Sequence, residues 1–304
     1  MTHYQLIQSN KNKSLLIMTL FVIFIVAAVY VMSVGLGYGL DMVGIALIVS
    51  GLMSFTSYYW SDKLILSISG AREANRSEFF DFYTIAENLS LSQRLPKPKL
   101  YVIEDTAMNA FATGRDPEHA VICCTTGILS RLNRSELEGV IAHELSHVKN
   151  YDIRLMSIVT VLVGLIALIA DWFLRLSRFG GSKRDNKEGG QLQVLMLVAG
   201  IILALLSPLI ANLIKLSISR RREFLADASA AGMTKNPMGL ARALEKISAD
   251  HEPLEAANKA TAHLYIANPL KNLHGGIGMF AKAFSTHPPV TERIKALKQM
   301  SSWI

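Results

Sequence analysis

Four long apolar runs dominate this sequence. The first, from Leu15 to Leu36, contains no charged residue and is long enough to cross a bilayer as a helix at about 1.5 Å per residue. A second run, from Met42 to Trp60, follows a short glycine-rich turn, and two more extend from Met156 to Leu174 and from Leu192 to Ile210. The first two runs predict a membrane hairpin. We expect no removable signal peptide, because the first run lacks a small-residue cleavage site.

The composition changes at these runs and divides the chain into four parts. Residues 1–60 form the predicted transmembrane hairpin, and residues 61–155 have the composition of a soluble domain. Residues 156–216 contain the third and fourth apolar helices, which either cross the membrane or pack as a hairpin that does not traverse it. Residues 217–304 form a polar and largely helical C-terminal part. We therefore expect a mainly α membrane protein.

Residues 61–155 also carry the strand patterns of the chain. We predict one helix and three strands there, at Glu78–Leu89, Leu100–Ile103, 109–114 (NAFATG) and from Ala120 (AVICCT). A further helix with the sequence HELSH follows, and two caps compete for its start. Ser135 with Glu138 forms the preferred capping box, and Asn133 is the competing cap.

The charges and the cysteines indicate the compartment and the partners. Basic residues collect on the cytoplasmic side of membrane helices, so both flanks of the hairpin are expected there; the residues are Lys11, Lys13, Lys63, Arg72 and Arg76. Cys123 and Cys124 are neighbours in a predicted strand and therefore point to opposite faces, which suits core residues in a reducing compartment. The net charge is only +7, and no basic stripe with interleaved aromatic residues is present. We expect no nucleic-acid partner.

The HELSH stretch has the spacing of a metal site. On an α-helix, His143 and His147 lie on one face, so both ring nitrogens can reach the same ion. Glu144 lies about 100° further round, where it can reach a water molecule without ligating the metal. Zinc in hydrolytic sites takes neutral nitrogen ligands and keeps one position open for water. Two histidines leave such a site one protein ligand short.

Spacing excludes some sources of the third ligand. The extended pattern HExxHxxGxxH requires a histidine where this chain has Ile153. An intramembrane site is excluded by the charges around the motif, on Glu136, Glu138, Lys149 and Asp152. RRREFLADASA offers Glu223 as a ligand and, four residues later on the same helical face, Asp227 as the carboxylate that orients a ligating histidine.

The chain resembles the HtpX-type zinc metalloproteases of bacterial inner membranes, which are relatives of the CAAX prenyl proteases. The motifs HELSH, EFLAD, NAFATG and STHPPVTER carry this resemblance, which covers essentially the whole chain. It implies a zincin-like α+β catalytic domain with a small sheet and one Zn²⁺ ion. It further implies a multi-pass protein of the inner membrane whose active site faces the cytoplasm. The implied activity is protein quality control under stress, by cleavage of misfolded or damaged membrane proteins or unfolded polypeptides.

The resemblance also implies roles for three further residues. Asn109 opens NAFATG, where the family has an edge strand that pairs with the extended substrate; the alternative interpretation is a turn residue. His287 corresponds to a histidine that steadies the tetrahedral intermediate, with Arg293 beside it in the site. The alternative for His287 is a position in a helix start capped by Ser285 or Thr286 and continued by two prolines.

These inferences predict a membrane zinc endopeptidase. His143, His147 and Glu223 hold the zinc, and Glu144 takes the proton of the attacking water and passes it to the leaving amine. One competing hypothesis is a membrane zinc sensor or carrier, in which Glu144 has no role. Another is a structural membrane scaffold without metal.

The loop between the third and fourth runs complicates the topology. From Arg175 to Gly190 it carries five basic residues against two acidic ones, so the positive-inside rule disfavours a position outside the cytoplasm. His147 precedes the third run and Glu223 follows the fourth, and both must bind the same ion. The two runs therefore cross together or do not cross at all.

Overall fold

The N-terminal part of the molecule is a pair of long helices, α1 (His3–Gly35) and α2 (Asp41–Ile68), that pack on each other. The computed structural model describes residues 3–35, 41–179, 220–255, 261–267 and 288–302. Within those ranges, both helices are long and apolar enough to cross a membrane. Only 22% of each apolar window is buried, so most of its side chains face outward, as contact with lipid requires. Helix α2 continues beyond the second apolar run to Ile68, with a kink at Trp60.

The rest of the described chain is also mainly helical. The further helices are α3 (Phe80–Ser92), α4 (Thr126–Arg131), α5 (Arg134–Lys149), α6 (Asp152–Phe179), α7 (Arg220–Thr234), α8 (Pro237–Ala249) and α9 (Val290–Met300). The helix predicted from Glu78 is confirmed as α3. Helix α6 contains the third apolar run, whereas the fourth run and the basic loop after residue 179 lie outside the described residues.

A small mixed sheet lies between these helices. Its strands are β1 (Arg72–Glu73), β2 (Lys99–Ile103), β3 (Ala110–Thr113) and β4 (Val121–Thr125), in the order β1-β2-β4-β3. Strands β2 and β4 are parallel, and the other two pairs are antiparallel. The three predicted strands are confirmed as β2, β3 and β4; the two-residue β1 was not predicted. Cys123 and Cys124 are fully buried and belong to apolar clusters on opposite faces of the sheet, as strand alternation predicts.

Helix α5 begins at a cap that differs from the preferred prediction. The Asn133 side chain accepts a hydrogen bond from the Glu136 backbone N–H at 3.0 Å, and the Glu136 carboxylate accepts one from the Asn133 N–H at 3.0 Å. This reciprocal pair is a capping box, so the preferred start at Ser135 was wrong and the competing cap was right. The Ser135 hydroxyl instead accepts a hydrogen bond from Asn236, just before α8, at 2.7 Å.

Helix α5 is fixed by close packing at the centre of the part of the molecule that follows the hairpin. It contacts α3, α7 and α8, and its buried apolar residues belong to the main apolar cluster. A Cβ atom at Gly139 would come within 2.6 Å of the Leu240 backbone nitrogen. The absence of a side chain at Gly139 thus allows α5 and α8 to approach at backbone distance.

Helix α1 also packs along α6, and this contact joins the hairpin to the rest of the described chain. Ile17 and Phe21 of α1 lie in one apolar cluster with Leu155, Ile158 and other residues of α6. All four side chains are at most 4% exposed. The position of α1 relative to α6 is therefore set by burial of apolar surface over two turns of each helix.

Candidate metal centre

Helices α5 and α7 bring three candidate ligands together. His143 and His147 lie on one face of α5, and Glu223 lies in the first turn of α7. One ligand atom from each lies within 4.8 Å of the other two, and all three residues are at most 5% exposed. The two Nε2 atoms are 3.2 Å apart, and the Glu223 carboxylate oxygens lie 3.5 Å from Nε2 of His147 and 3.8 Å from Nε2 of His143.

Each histidine is oriented by a carboxylate on its other ring nitrogen. Asp227 Oδ1 lies 2.9 Å from Nδ1 of His143, and Asp152 Oδ2 lies 3.0 Å from Nδ1 of His147. An ionised carboxylate only accepts hydrogen bonds, so in a neutral imidazole the proton lies on Nδ1 and Nε2 presents a lone pair. Two such lone pairs facing each other at 3.2 Å repel unless a cation or a proton lies between them.

The donor set fits a catalytic zinc ion. Two imidazole nitrogens and one carboxylate oxygen are the protein ligands of many catalytic zinc sites, which leave one position for water or substrate. A carboxylate behind each ligating imidazole is the usual support in such sites. The charges around His147 also favour a cation at this position. Burial lowers its pKa, but the hydrogen bond to Asp152 and the charge of Glu223 outweigh burial and raise the pKa to about 9. The pocket thus attracts positive charge to this ring.

Asp152 is the one carboxylate in this arrangement that the sequence analysis did not assign. In the sequence, its charge indicates only that HELSH lies outside the hydrocarbon core. It follows the end of α5, five residues after His147, and the chain reverses at Tyr151, whose φ of +59° lies in the left-handed region. Helical spacing alone does not predict this contact, because it depends on the turn between α5 and α6. The signal that the sequence does offer for this contact is an acidic residue directly after the helix that carries HELSH.

Arg293 of α9 holds the Asp227 carboxylate in place. Its Nε and NH2 groups donate to the two oxygens of Asp227 at 2.8 and 2.7 Å, and its NH1 group donates to the Ile266 carbonyl at 3.3 Å. Burial raises the pKa of Asp227, but the charge and hydrogen bonds of Arg293 outweigh burial and lower that pKa to about 2. The guanidinium is 0% exposed, and its NH1 group also lies 3.7 Å from the Glu223 carboxylate, so Arg293 contacts a candidate ligand as well as Asp227.

Glu144 follows His143 on α5 and is buried. The three candidate ligands, His143, His147 and Glu223, are called the triad below. Glu144 is 3% exposed. Its pKa is raised mainly by burial, and the charge of Glu223 adds to this effect, whereas His143 and His147 oppose it. A carboxylate with a raised pKa takes up a proton more readily near neutral pH, which is the property of a group that receives and returns protons.

Asn109 lies at the edge of the sheet, but its side chain is already paired. Its amide nitrogen donates to the Ala267 carbonyl at 3.0 Å, and its amide oxygen accepts from the Ala267 N–H at 3.3 Å. The Ile266 N–H donates to the Ala110 carbonyl at 2.9 Å. Residues 266 and 267 thus lie along part of the β3 edge. His287, which the resemblance placed near the metal, lies outside the described residues.

Comparison with known proteins yields one family. Residues 77–301 match the sequence profile of peptidase family M48. Three curated relatives, each named Protease HtpX homolog, are similar over almost the whole chain. The protein from Dictyoglomus turgidum is 42% identical over 302 residues, which is 98% of this chain and 95% of its own length. The relatives from Thermoanaerobacter pseudethanolicus and Ligilactobacillus salivarius are 41% and 40% identical, over 99% and 98% of this chain and 98% and 99% of their own.

Among solved structures, the crystal structure of S. mikatae Ste24p is similar to this chain. The sequences are 19% identical, and the TM-score is 0.49. The similarity covers 97% of this chain and 67% of the other.

Proposed function

Because the chain belongs to peptidase family M48 and is a membrane metalloendopeptidase, we propose that it cleaves polypeptides with one Zn²⁺ ion held by His143, His147 and Glu223. The observation that carries the proposal is the convergence of two Nε2 lone pairs and one carboxylate in a buried cluster. When bound, zinc supplies Lewis-acid chemistry, since it polarises a carbonyl and lowers the pKa of water to about 7.

The protein's own residues supply the proton transfers and the orientation. Glu144 accepts the proton of the attacking water and returns it to the leaving amine, and its raised pKa favours that exchange. Asp227 and Asp152 hold the two imidazoles with Nε2 toward the cluster. Arg293 keeps Asp227 ionised and therefore acts as a positioning residue, and the substrate contact expected of it stays a prediction. The assistance expected from His287 stays a prediction.

We propose misfolded membrane proteins and unfolded polypeptides as the substrates, as expected of a quality-control protease. The edge position of β3 supports this, because an extended chain of any sequence can pair with an edge strand through backbone groups. Residues 266 and 267 pair with Ala110 and Asn109 at present. A substrate strand therefore either extends this pairing along β3 or displaces it.

Cleavage in proteoliposomes should follow the instability of the substrate. When cleavage is slow relative to reclosing, the rate tracks the open population of the substrate, and a destabilisation of about 1.4 kcal/mol raises that population about tenfold. A destabilised variant of a reporter membrane protein should accordingly be cut about tenfold faster than its stable parent. A metal chelator should abolish both reactions, and added Zn²⁺ should restore them. Equal rates for the two reporters would contradict the proposed substrate class, whereas chelator-resistant cleavage would contradict the metal.

We further propose a multi-pass protein of the bacterial inner membrane with its metal centre on the cytoplasmic side. Basic residues flank the α1–α2 hairpin. The N-terminal end of α1 lies at the metal centre, where the Lys11 ammonium is 4.8 Å from the centre of the Tyr151 ring. The positively charged end of the hairpin therefore lies on the same side of the membrane as the metal centre.

Thiol labelling of intact cells should show this orientation. Single cysteines replace the exposed Ser92 at the end of α3 and, as a control, Tyr38 between α1 and α2, in a background with Cys123→Ala and Cys124→Ala. A membrane-impermeant reagent should label position 38 directly and position 92 only after the membrane is opened. The reverse pattern would place the catalytic part outside the cytoplasm.

A further inference from the structure

We propose that the first membrane helix forms part of the metal centre, with Asn10 of α1 acting through Asp152 as a positioning residue for His147. The inference rests on the proposed ligand set, because it concerns the support of one of those ligands. Asn10 is only 3% exposed, although it belongs to the membrane hairpin and lies far from HELSH in sequence.

The chain of contacts runs from α1 to the candidate ligand through one buried carboxylate. Asp152 Oδ2 faces Nδ1 of His147 at 3.0 Å. Its other oxygen accepts hydrogen bonds from the Asn10 amide at 2.8 Å and from the Arg222 guanidinium at 3.0 Å. The orientation of the carboxylate, and with it that of the imidazole, is therefore set by donors on two other helices.

The Asn10 amide connects both helices that carry candidate ligands. Its nitrogen also donates to the carbonyl of Asn150, the C-terminal cap of α5, at 2.9 Å. Its oxygen accepts from Arg222, next to Glu223 in α7, at 3.1 Å. Asn10 thus uses both donor hydrogens and its acceptor on groups that flank His147 and Glu223. A leucine of similar size could fill the space but could make none of these bonds.

Packing of α1 against α6 fixes the place of this amide. Asn10, Ser14, Ile17 and Phe21 recur at helical spacing and form the buried face of α1. The apolar members pack on α6, the helix that begins with Asp152. A polar side chain on such a face costs free energy unless it is hydrogen-bonded. The described contacts satisfy it fully at the metal centre.

The same end of α1 also contacts the turn between α5 and α6, which places Asp152 next to His147. Tyr151, between α5 and α6, has a left-handed backbone conformation that is unfavourable for any residue other than glycine. The Lys11 ammonium and the Arg154 guanidinium lie 4.8 and 5.2 Å from the centre of its ring. The surrounding side chains and the Asn10 bond to Asn150 hold a turn that the local sequence alone would not favour.

Replacement of Asn10 by leucine should weaken metal binding in the full-length protein. The matched control is Asn12→Leu, since Asn12 is exposed on the same helix and hydrogen-bonds only to Gln8 among the contacts described. Zn²⁺ affinity is measured by competition with a chromophoric chelator in detergent. Asn10→Leu removes all three hydrogen bonds of the Asn10 amide, and loss of the one that supports Asp152 should weaken Zn²⁺ binding about 3- to 10-fold, whereas Asn12→Leu should match the wild type. The visible spectrum of bound Co²⁺ should change only in Asn10→Leu.

A double-mutant cycle distinguishes action through Asp152 from a general loss of packing. Asp152→Asn should weaken Zn²⁺ binding about 10- to 100-fold, and adding Asn10→Leu to it should have little further effect. Additive losses, or wild-type affinity in Asn10→Leu, would overturn the inference. If Asn10→Leu does not fold, Asn10→Ser, which is smaller and keeps one donor, takes its place in the same cycle. Wild-type protein that binds no zinc would instead refute the proposed ligand set.

Discussion

The Glu144→Gln variant is expected to bind about one equivalent of zinc and to lose proteolysis by at least about 100-fold. The substitution keeps the shape of the side chain and leaves both histidines, Glu223 and their supporting carboxylates in place. It removes only the group that accepts the proton of the attacking water, and a positioned general base contributes about 10²- to 10⁴-fold. Metal content is measured by elemental analysis of the detergent-purified protein and activity with an unfolded polypeptide.

Glu138→Gln is the matched control for this experiment. It makes the same change on the same helix at a half-buried position and should keep both zinc and activity. Wild-type protein should also cut itself during purification, whereas Glu144→Gln should accumulate intact. Near-normal cleavage by Glu144→Gln would refute the assignment of the base. Retention of full cellular function without cleavage would instead favour a zinc sensor or carrier.

The Glu223→Ala variant is expected to lose zinc affinity by more than about 100-fold. Glu223 supplies the carboxylate of the triad, so its loss leaves two nitrogen ligands on one helix. The effect should exceed the roughly 10- to 100-fold loss typical of a residue that only supports a ligand. Asp227→Asn provides that comparison, because Asp227 hydrogen-bonds to His143 without joining the triad. Equilibrium dialysis against buffered zinc measures both affinities.

Asparagine is the better replacement at position 227. Both replacements remove the charge that faces the fully buried Arg293 guanidinium, and breaking a buried ion pair in this way costs about 3–5 kcal/mol of stability. Asparagine keeps the size of the side chain and one oxygen that can accept from Arg293, whereas alanine keeps neither and is the more damaging change. A loss of folding would then be mistaken for a loss of metal. Equal zinc affinity in the wild type and Glu223→Ala would remove Glu223 from the ligand set and leave the third ligand to be found elsewhere.

The parts of this molecule that follow from local spacing could be predicted from sequence. The apolar runs predicted the hairpin, alternation predicted β2, β3 and β4, and the four-residue spacing of His143 and His147 predicted one helix face. Glu223 could be proposed at long range because EFLAD has its own helical pattern. The start of α5 was less certain, since Asn133 and Ser135 both have the chemistry of a cap.

What could not be predicted depends on how the elements pack together. Asp152 reaches His147 only because the chain reverses at Tyr151, and Asn10 reaches Asp152 only because α1 lies along α6. Neither contact leaves a periodic signal in the sequence. Arg293 could be placed near the site by its motif, but the buried pairing with Asp227 depends on where α9 docks.

The buried charges of the metal centre have a consequence for how the protein matures. Four carboxylates meet there with two guanidinium groups: Glu144, Asp152, Glu223 and Asp227 with Arg222 and Arg293. With neutral imidazoles, this leaves two surplus negative charges, which a divalent cation would balance. The negative charges of Glu223 and Asp152 contribute to the raised pKa of His147, whereas the pKa of Glu144 is raised mainly by burial. A divalent ion bound at this site would displace protons and reduce the repulsion between the carboxylates, so metal binding is expected to stabilise the fold as well as to complete the site.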